Sequence, residues 1–327
     1  MKLRIVFFTA VLLCLLIAQT AVAGEYKVVH KNGIVLAMFG TTVEPALQGL
    51  LNIKAKMEKA YPNTPVRFAF TSNIIRKIWQ KRAANPAYIK AHPNVPAEIL
   101  YVQGPLATIA TFQDDGYDTL VVQPTHIAPA EEFLDLTSYV EALAAINTIK
   151  KKFKPFNKLV IGRPMLGTFG VQHPYAKDIK TAVKAMREDA ERAKKEGAAL
   201  VYMGHGNNYF PSGGSYLQFE HEMNLAYPDV VTVIGTVEGY PSFDQVLEEL
   251  QAKGIKKVVI RAFMIVAGDH ATNDMAGPEK DSWKSMLEKE GIAVTPYLHG
   301  LGENDRVADI YVSHAADAAA DAGIILK

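Results

Sequence analysis

The sequence predicts an α/β fold made of two similar halves, each with its own parallel β-sheet and with a cleft between them. Short, continuous apolar segments recur along the chain, which is typical of strands covered on both faces. Between them lie segments whose apolar residues are three or four positions apart, the spacing of amphipathic helices. A third observation, an internal repeat, favours two halves over one closed barrel of eight strands.

The apolar segments give the predicted strands in order. They are Ile34–Phe39, Val66–Phe70, Thr119–Val122 and Leu159–Ile161, followed by Ala199–Met203, Val230–Ile234, Lys257–Val266 and Ala293–Tyr297. Helical spacing is clearest in Pro45–Ala60 and in Asp178–Lys195, after which Gly197 is a typical stop signal. Strands connected through helices are expected to run parallel, with right-handed crossovers.

The internal repeat relates three segments of the first half, in order, to three segments of the second. Residues 34–41 align with 199–206, residues 66–73 with 231–238, and residues 120–132 with 258–270. The last alignment places Glu132 opposite His270. Glycine and proline cluster between Gly162 and Pro174, a typical boundary composition. We therefore expect one half over residues 24–167, a second over 168–300, and a C-terminal helix within 301–327 that packs back on the first half.

Residues 1–23 have the pattern of a secretory signal peptide. Two basic residues precede the apolar run Ile5–Ala18, and the small residues Ala21–Ala23 form a typical cleavage site. The run is shorter than the roughly 20 apolar residues of a membrane-spanning helix, so we expect a periplasmic product without a membrane span. The only cysteine, Cys14, lies in this segment. A metal site in the exported chain must therefore use imidazole and carboxylate ligands.

The composition excludes several functional classes. The chain has 327 residues, of which 49% are hydrophobic and 21% charged, as in ordinary globular proteins. Its formal net charge of +1 offers no concentrated basic surface, so a nucleic-acid partner is not expected. The glycine-rich phosphate-binding motifs are absent from the sequence, which argues against nucleotide binding.

Three candidate metal ligands follow three consecutive predicted strands of the second half. They are His205, Glu238 and His270, and each is near a glycine that allows close approach. Ligands bind outside the carboxyl ends of parallel strands, so these side chains are expected to converge. Two imidazoles and a carboxylate suit Co²⁺, Ni²⁺, Fe²⁺ or Zn²⁺, and three protein ligands leave positions open for reaction. The alternative is that each histidine only makes a hydrogen bond in its loop.

The first half offers further candidates after its third strand. His126, Glu131 and Glu132 lie there, and the acidic pair also suits the first turn of a helix. Glu132 is the better catalytic candidate, because the repeat places it across the cleft from His270. His92 precedes Pro93 in a predicted surface loop, where it is either a haem ligand or an ordinary exposed histidine.

Several of these residues occur in motifs that resemble those of the anaerobic cobalt chelatases of cobalamin biosynthesis. The segments Met203–Gly206, Thr236–Pro241 and Ala267–Met275 carry most of the resemblance. The spacing of His126 and the following acidic pair is also similar to a first-half motif of that family. The similarity extends from about Gly33 to Gly302, which is nearly the whole exported chain.

The resemblance implies a class II chelatase fold, with two pseudo-symmetric Rossmann-like halves and the tetrapyrrole in the cleft. It implies ATP-independent insertion of Co²⁺ into sirohydrochlorin, with His205, Glu238 and His270 as metal ligands. His205 and Glu132 would then take up the pyrrole protons. Cobalamin synthesis is cytoplasmic, so the predicted leader peptide sets this chain apart from the family. Fe²⁺ or Ni²⁺ as the substrate metal, and haem as a bound group, therefore remain alternatives. A homo-oligomer is compatible with the sequence. The alternative function is a periplasmic metal- or haem-binding transport protein without chelatase chemistry.

Overall fold

The computed structural model describes residues 30–208 and 213–327. The predicted signal peptide lies outside these described residues, as do residues 209–212. Two four-stranded sheets form the frame of the chain, and every strand pair in them is parallel. The strands are β1 (Asn32–Met38), β2 (Val66–Phe70), β3 (Thr119–Pro124), β4 (Lys158–Ile161), β5 (Ala199–Gly206), β6 (Thr232–Glu238), β7 (Lys257–Ala262) and β8 (Ala293–Tyr297).

The two sheets have the same topology. The first has the order β2-β1-β3-β4 and the second the order β6-β5-β7-β8, so each strand has a counterpart in the other half. This confirms the predicted α/β fold with two pseudo-symmetric parallel sheets. The aligned segments of the internal repeat correspond to β1 with β5, β2 with β6, and β3 with β7.

Helices connect the strands, as parallel pairing requires. They are α1 (Leu47–Ala60), α2 (Asn73–Ala83), α3 (Pro86–Ala91), α4 (Ala97–Leu100), α5 (Pro105–Asp114), α6 (Glu131–Ala144), α7 (Tyr175–Ala185), α8 (Arg187–Glu196), α9 (Gly213–Ala226), α10 (Phe243–Ala252), α11 (Trp283–Lys289) and α12 (Asp305–Asp321). Short helical turns cover Lys151–Phe153, Ala271–Met275 and Leu301–Glu303. None of the helices in the described part of the chain combines the length and apolar character needed to cross a membrane.

Two boundaries differ from the sequence-based prediction in ways that affect the cleft. The strands β5 and β6 continue to Gly206 and Glu238, because backbone pairing persists as far as these two residues. The strand β7 ends at Ala262, and the apolar segment that follows it, Phe263–Val266, enters the cleft instead. His205 and Glu238 therefore lie on strand ends that are fixed by backbone hydrogen bonds.

The helix predicted over Asp178–Lys195 is two helices, α7 and α8, which meet at Met186. After this break Asp189 is buried, where it accepts a hydrogen bond from Tyr202 Oη at 2.6 Å and pairs with Arg261. Burying a carboxylate is costly unless it has a charged partner and hydrogen bonds. The apolar spacing of the sequence did not reveal that Asp189 is buried with these partners, because Tyr202 and Arg261 lie on strands further along the chain.

One hydrophobic cluster extends through both halves and includes Leu36 of the first sheet and Leu200 of the second. The C-terminal helix α12 packs against α1 and β3 of the first half. Tyr311 on this helix is buried, and its hydroxyl donates to the carbonyl oxygen of Thr125 at 3.0 Å. Because Thr125 directly follows β3, this bond fixes the carboxyl end of a central strand at the cleft.

Candidate metal centre

The carboxyl ends of both sheets face a cleft with an enclosed volume of about 300 Å³. Its walls include Phe39–Val43 after β1, Thr125–Ala128 after β3, the start of α6, His205 and Gly206 at the end of β5, and Phe263–Val266 and Gly268–His270 after β7. The walls are mostly apolar, with a few polar groups, as in typical small-molecule sites. This is the edge at which open parallel sheets bind ligands.

His205 and His270 meet in this cleft. Their ring centroids are 5.0 Å apart and the ring planes are inclined at 78°. The strands that carry them, β5 and β7, are hydrogen-bonded neighbours, so the sheet brings together two histidines that are far apart in sequence. The prediction that these two imidazoles converge is thereby consistent with the geometry of the strand ends.

Both imidazoles use Nδ1 for a hydrogen bond to an acceptor. His205 Nδ1 is 2.9 Å from the carbonyl oxygen of Gly206, and His270 Nδ1 bonds to the Asp274 carboxylate. A carbonyl or carboxylate oxygen only accepts, so Nδ1 must carry the proton in each ring. Nε2 then keeps its lone pair, which is the form of histidine that binds metal ions.

Asp274 is a contact of His270 that the sequence analysis did not identify. It lies in the π-helical turn Ala271–Met275, four residues after His270. The spacing of the two residues is visible in the sequence and is the one at which helical side chains meet. The turn itself is less easily predicted, because a π-helical turn is rare.

Glu238 ends the strand next to the one that carries His205, and its backbone pairs with that of Gly206. Its Oε2 is 3.5 Å from Nδ2 of Asn208, and Glu238 is not among the residues that line the cleft. Over residues 30–208 and 213–327, no three His, Cys, Asp or Glu side chains are arranged to hold a metal ion. The structure thus brings two of the three predicted ligands together, and the role of Glu238 stays a prediction.

Glu132 approaches from the opposite wall, in the first turn of α6. Burial raises the pKa of this carboxyl, and although His205 lowers it, the nearby Glu131 and Glu238 raise it further. Glu132, from the first half, and His205, from the second, both line the cleft. A carboxylate with a raised pKa is a stronger base than an ordinary glutamate, which suits it to accept a proton.

His126 and Tyr216 are further polar residues of the cleft wall. Burial lowers the pKa of His126 to about 4, so its ring is neutral. Both ring nitrogens are shielded from solvent and have no hydrogen-bond partner within the described residues. Burial also raises the pKa of Tyr216 to about 12, so its hydroxyl stays protonated beside Gly206.

His92 lies outside the cleft, at the C-terminal end of α3. Its Nδ1 is 3.0 Å from Glu44 Oε2, and its ring stacks on Tyr88 with centroids 4.1 Å apart. Tyr88 Oη donates to the same carboxylate at 2.6 Å. His92 is therefore an oriented, partly exposed imidazole, and its role as a haem ligand stays a prediction.

Comparison with known proteins points to one family. Residues 32–320 match the family model described as cobalt chelatase (CbiK). The sirohydrochlorin cobaltochelatase CbiKC of Nitratidesulfovibrio vulgaris is 30% identical over 285 residues, covering 87% of this chain and 89% of that protein. The sirohydrochlorin cobaltochelatase of Salmonella typhimurium is 27% identical over 287 residues, covering 87% and 95%.

Among solved structures, the fold is similar to that of the sirohydrochlorin chelatase SirB from Bacillus subtilis subspecies spizizenii in complex with cobalt. The TM-score is 0.53 and the sequence identity 12%, with 89% of this chain and 96% of that chain covered. At this identity the likeness supports the fold, with its two halves and the cleft between them.

Proposed function

The chain belongs to the cobalt chelatase family, and from this premise we propose that it inserts Co²⁺ into sirohydrochlorin, a cyclic tetrapyrrole, without ATP. It is thus a metal chelatase, a lyase of cobalamin biosynthesis and porphyrin metabolism. The observation that carries this proposal is the pair of imidazoles, with ring centroids 5.0 Å apart, in a mostly apolar cleft that Glu132 also lines. Curated relatives named as chelatases do not favour the alternative of a carrier without chemistry.

The metal ion is a substrate that the site must hold and then release. The Nε2 atoms of His205 and His270 are available as ligands, since each Nδ1 is engaged elsewhere. Glu238, on the strand next to His205, would supply the third ligand. Three protein ligands leave coordination positions open, so the ring nitrogens can replace the protein ligands one at a time.

The protons must also be accounted for. A divalent ion replaces two pyrrole N–H protons, so two bases are needed and the ring then balances the metal charge. His205 is one candidate, because imidazole exchanges protons near neutral pH and is freed when it releases the ion. Glu132 is the second, since burial raises the pKa of its carboxyl. The two bases lie on opposite walls of the cleft.

The proposal also covers which metal ions the site accepts and whether the protein binds haem. Affinity for imidazole and carboxylate sites rises along the first-row series, so Fe²⁺ and Ni²⁺ are expected to compete with Co²⁺ for the same ligands. His92 is the candidate haem ligand, because Glu44 engages its Nδ1 and Nε2 would be the atom that holds the haem iron. A Soret absorption band of the isolated protein that disappears in His92→Ala would support this role.

We further propose that the protein is exported to the periplasm after cleavage of residues 1–23, and that it forms a homo-oligomer. The basic, apolar and small-residue segments of the N-terminus support export. Cell fractionation and N-terminal sequencing test this, with Gly24 expected as the first residue. Light scattering of the purified protein tests the oligomer.

The central test is to mix the protein with metal-free sirohydrochlorin and Co²⁺ and to follow the absorbance of the macrocycle. An enzyme converts many equivalents of substrate, whereas a carrier stops at about one per binding site. His205→Ala is expected to abolish turnover while the fold stays intact. His221→Ala is the matched control, because this histidine is exposed on α9. Turnover by His205→Ala at the wild-type rate would contradict the assigned role.

A further inference from the structure

The two imidazoles of the cleft differ in the group that holds Nδ1. His205 bonds to a neutral acceptor, the carbonyl oxygen of Gly206, at 2.9 Å. His270 bonds to an ionisable acceptor, the carboxylate of Asp274. Hydrogen bonds to a charged group are about twice as strong as those between neutral groups. The two candidate ligands are therefore not equivalent, although they come from neighbouring strands of one sheet.

We propose that Asp274 is a positioning residue that makes His270 the tighter of the two imidazole ligands, so that His205 is the one that releases the metal ion first. This inference rests on the proposed function, because it assumes that both imidazoles bind the ion. A carboxylate behind a ligating histidine fixes its tautomer and orientation and raises the basicity of the nitrogen that faces the metal.

The local structure places Asp274 in contact with His270. His270 immediately precedes the π-helical turn in which Asp274 lies, and the buried residues Ala271 and Met275 anchor that turn in the core of the second half. The acidic side chain that precedes the turn, Asp269, accepts a hydrogen bond from Asn273 at 2.8 Å. Asn273 thus occupies Asp269, and the carboxylate of Asp274 remains directed at His270.

The difference in strength between the two histidine ligands sets the order in which the metal ion leaves them for the tetrapyrrole. The bond from the ion to His205 Nε2 breaks as a bond to a pyrrole nitrogen forms. The proton of that pyrrole moves to the freed Nε2, so atoms and charge balance in this step. His270 keeps the ion at the ring until the remaining nitrogens have bound. Glu132, the second proposed base, lines the same cleft as His205.

The first test is the affinity for Co²⁺ alone, measured by titration calorimetry and by the visible absorption of bound Co²⁺. We expect Asp274→Ala to weaken binding about 10- to 100-fold. Asp274→Asn should lose less, because its amide oxygen still accepts from Nδ1. The matched control is Asp321→Asn, which alters a similar exposed pair with His173 at 2.8 Å. Circular dichroism and thermal unfolding establish that each variant is folded.

The second test separates positioning from a general structural effect. If Asp274 acts through His270, Asp274→Ala should add no further loss of affinity to a His270→Ala variant. His270→Ala should also weaken Co²⁺ binding more than His205→Ala does. In steady-state kinetics, Asp274→Ala should raise KM for Co²⁺ and leave KM for sirohydrochlorin unchanged.

Three results would overturn the inference: wild-type affinity for Co²⁺ in Asp274→Ala, an equal loss in the His270→Ala background, or a larger loss in His205→Ala than in His270→Ala. The failure of the proposed function looks different. In that case the wild-type protein does not metallate sirohydrochlorin, while the comparison of Co²⁺ affinities among the variants can still be made.

Discussion

Replacing Gly206 by alanine should damage both the fold and the metal centre, and its cost can be worked from the structure. Gly206 has a φ of +74°, a region that costs an L-residue about 1–2 kcal/mol. A Cβ there would lie 1.9 Å from the carbonyl oxygen of Glu238 and 2.6 Å from Cβ of Thr236. These are backbone and branched atoms of a paired strand, so the strands must separate, at a cost of about 1–3 kcal/mol.

The expected loss in the free energy of unfolding is therefore about 2–5 kcal/mol, measured by chemical denaturation. Gly197→Ala is the matched control, since Gly197 has a φ of +60° and its added Cβ would meet nothing within 4 Å. The difference between the two variants isolates the steric contribution. Separation of β5 from β6 also displaces His205, so Co²⁺ affinity should fall in Gly206→Ala alone. Equal destabilisation of the two variants would refute this reasoning.

Three further predictions concern buried charges. Asp189→Ala leaves the buried Arg261 without its carboxylate and should lower the free energy of unfolding by about 3–5 kcal/mol in denaturant titrations. Burial raises the pKa of Glu220 from 4.5 to about 7, so stability should fall as pH rises between these values. Glu220→Gln removes this dependence and should exceed the wild type at pH 8 by about 1–3 kcal/mol in thermal unfolding. For Asp178, burial would raise the pKa, but hydrogen bonds from His314 and Arg163 outweigh it and hold the value at about 2. The stabilisation that the ionised Asp178 carboxylate provides should therefore be lost as pH falls from about 4 to about 2. Asp178→Asn should make the free energy of unfolding less dependent on pH in that range.

Each of these predictions has a control and a result against it. Asp229→Ala removes an exposed ion pair with Lys194 and should hardly change the free energy of unfolding. An equally small effect of Asp189→Ala would contradict the prediction for that residue. Glu248→Gln, on an exposed position of α10, should not change the pH dependence of stability. The prediction for Glu220 is contradicted if the stability of Glu220→Gln changes between pH 5 and 7 as much as that of the wild type. The prediction for Asp178 is contradicted if the stability of Asp178→Asn falls below pH 4 as much as that of the wild type.

The fold class was predictable because a strand buried on both faces must be continuously apolar. All eight strands were predicted within a few residues, and Val66–Phe70 and Ala293–Tyr297 without error. The single helix predicted over Asp178–Lys195 was wrong, since the segment forms two helices that meet at Met186. The partners of the buried Asp189, Tyr202 and Arg261, were also not predictable, because they are distant in sequence.

The candidate site was predictable only in part. Parallel strands end at a common edge, so a histidine at the end of β5 and a histidine after β7 are expected to be neighbours. Glu238 is a different case, because it ends a neighbouring strand but is not among the residues that line the cleft, and its Oε2 lies 3.5 Å from Asn208 Nδ2.

The sequence by itself determined the two parallel sheets, the cleft at their carboxyl ends and the residue types that reach it, because periodicity and strand-end position are local properties of the chain. Only the tertiary structure decided which nitrogen of each imidazole is free, since that depends on acceptors brought to Nδ1 by the folded backbone: a carbonyl for His205 and the Asp274 carboxylate for His270. It likewise decided the raised pKa of Glu132, because burial is a property of the assembled cleft.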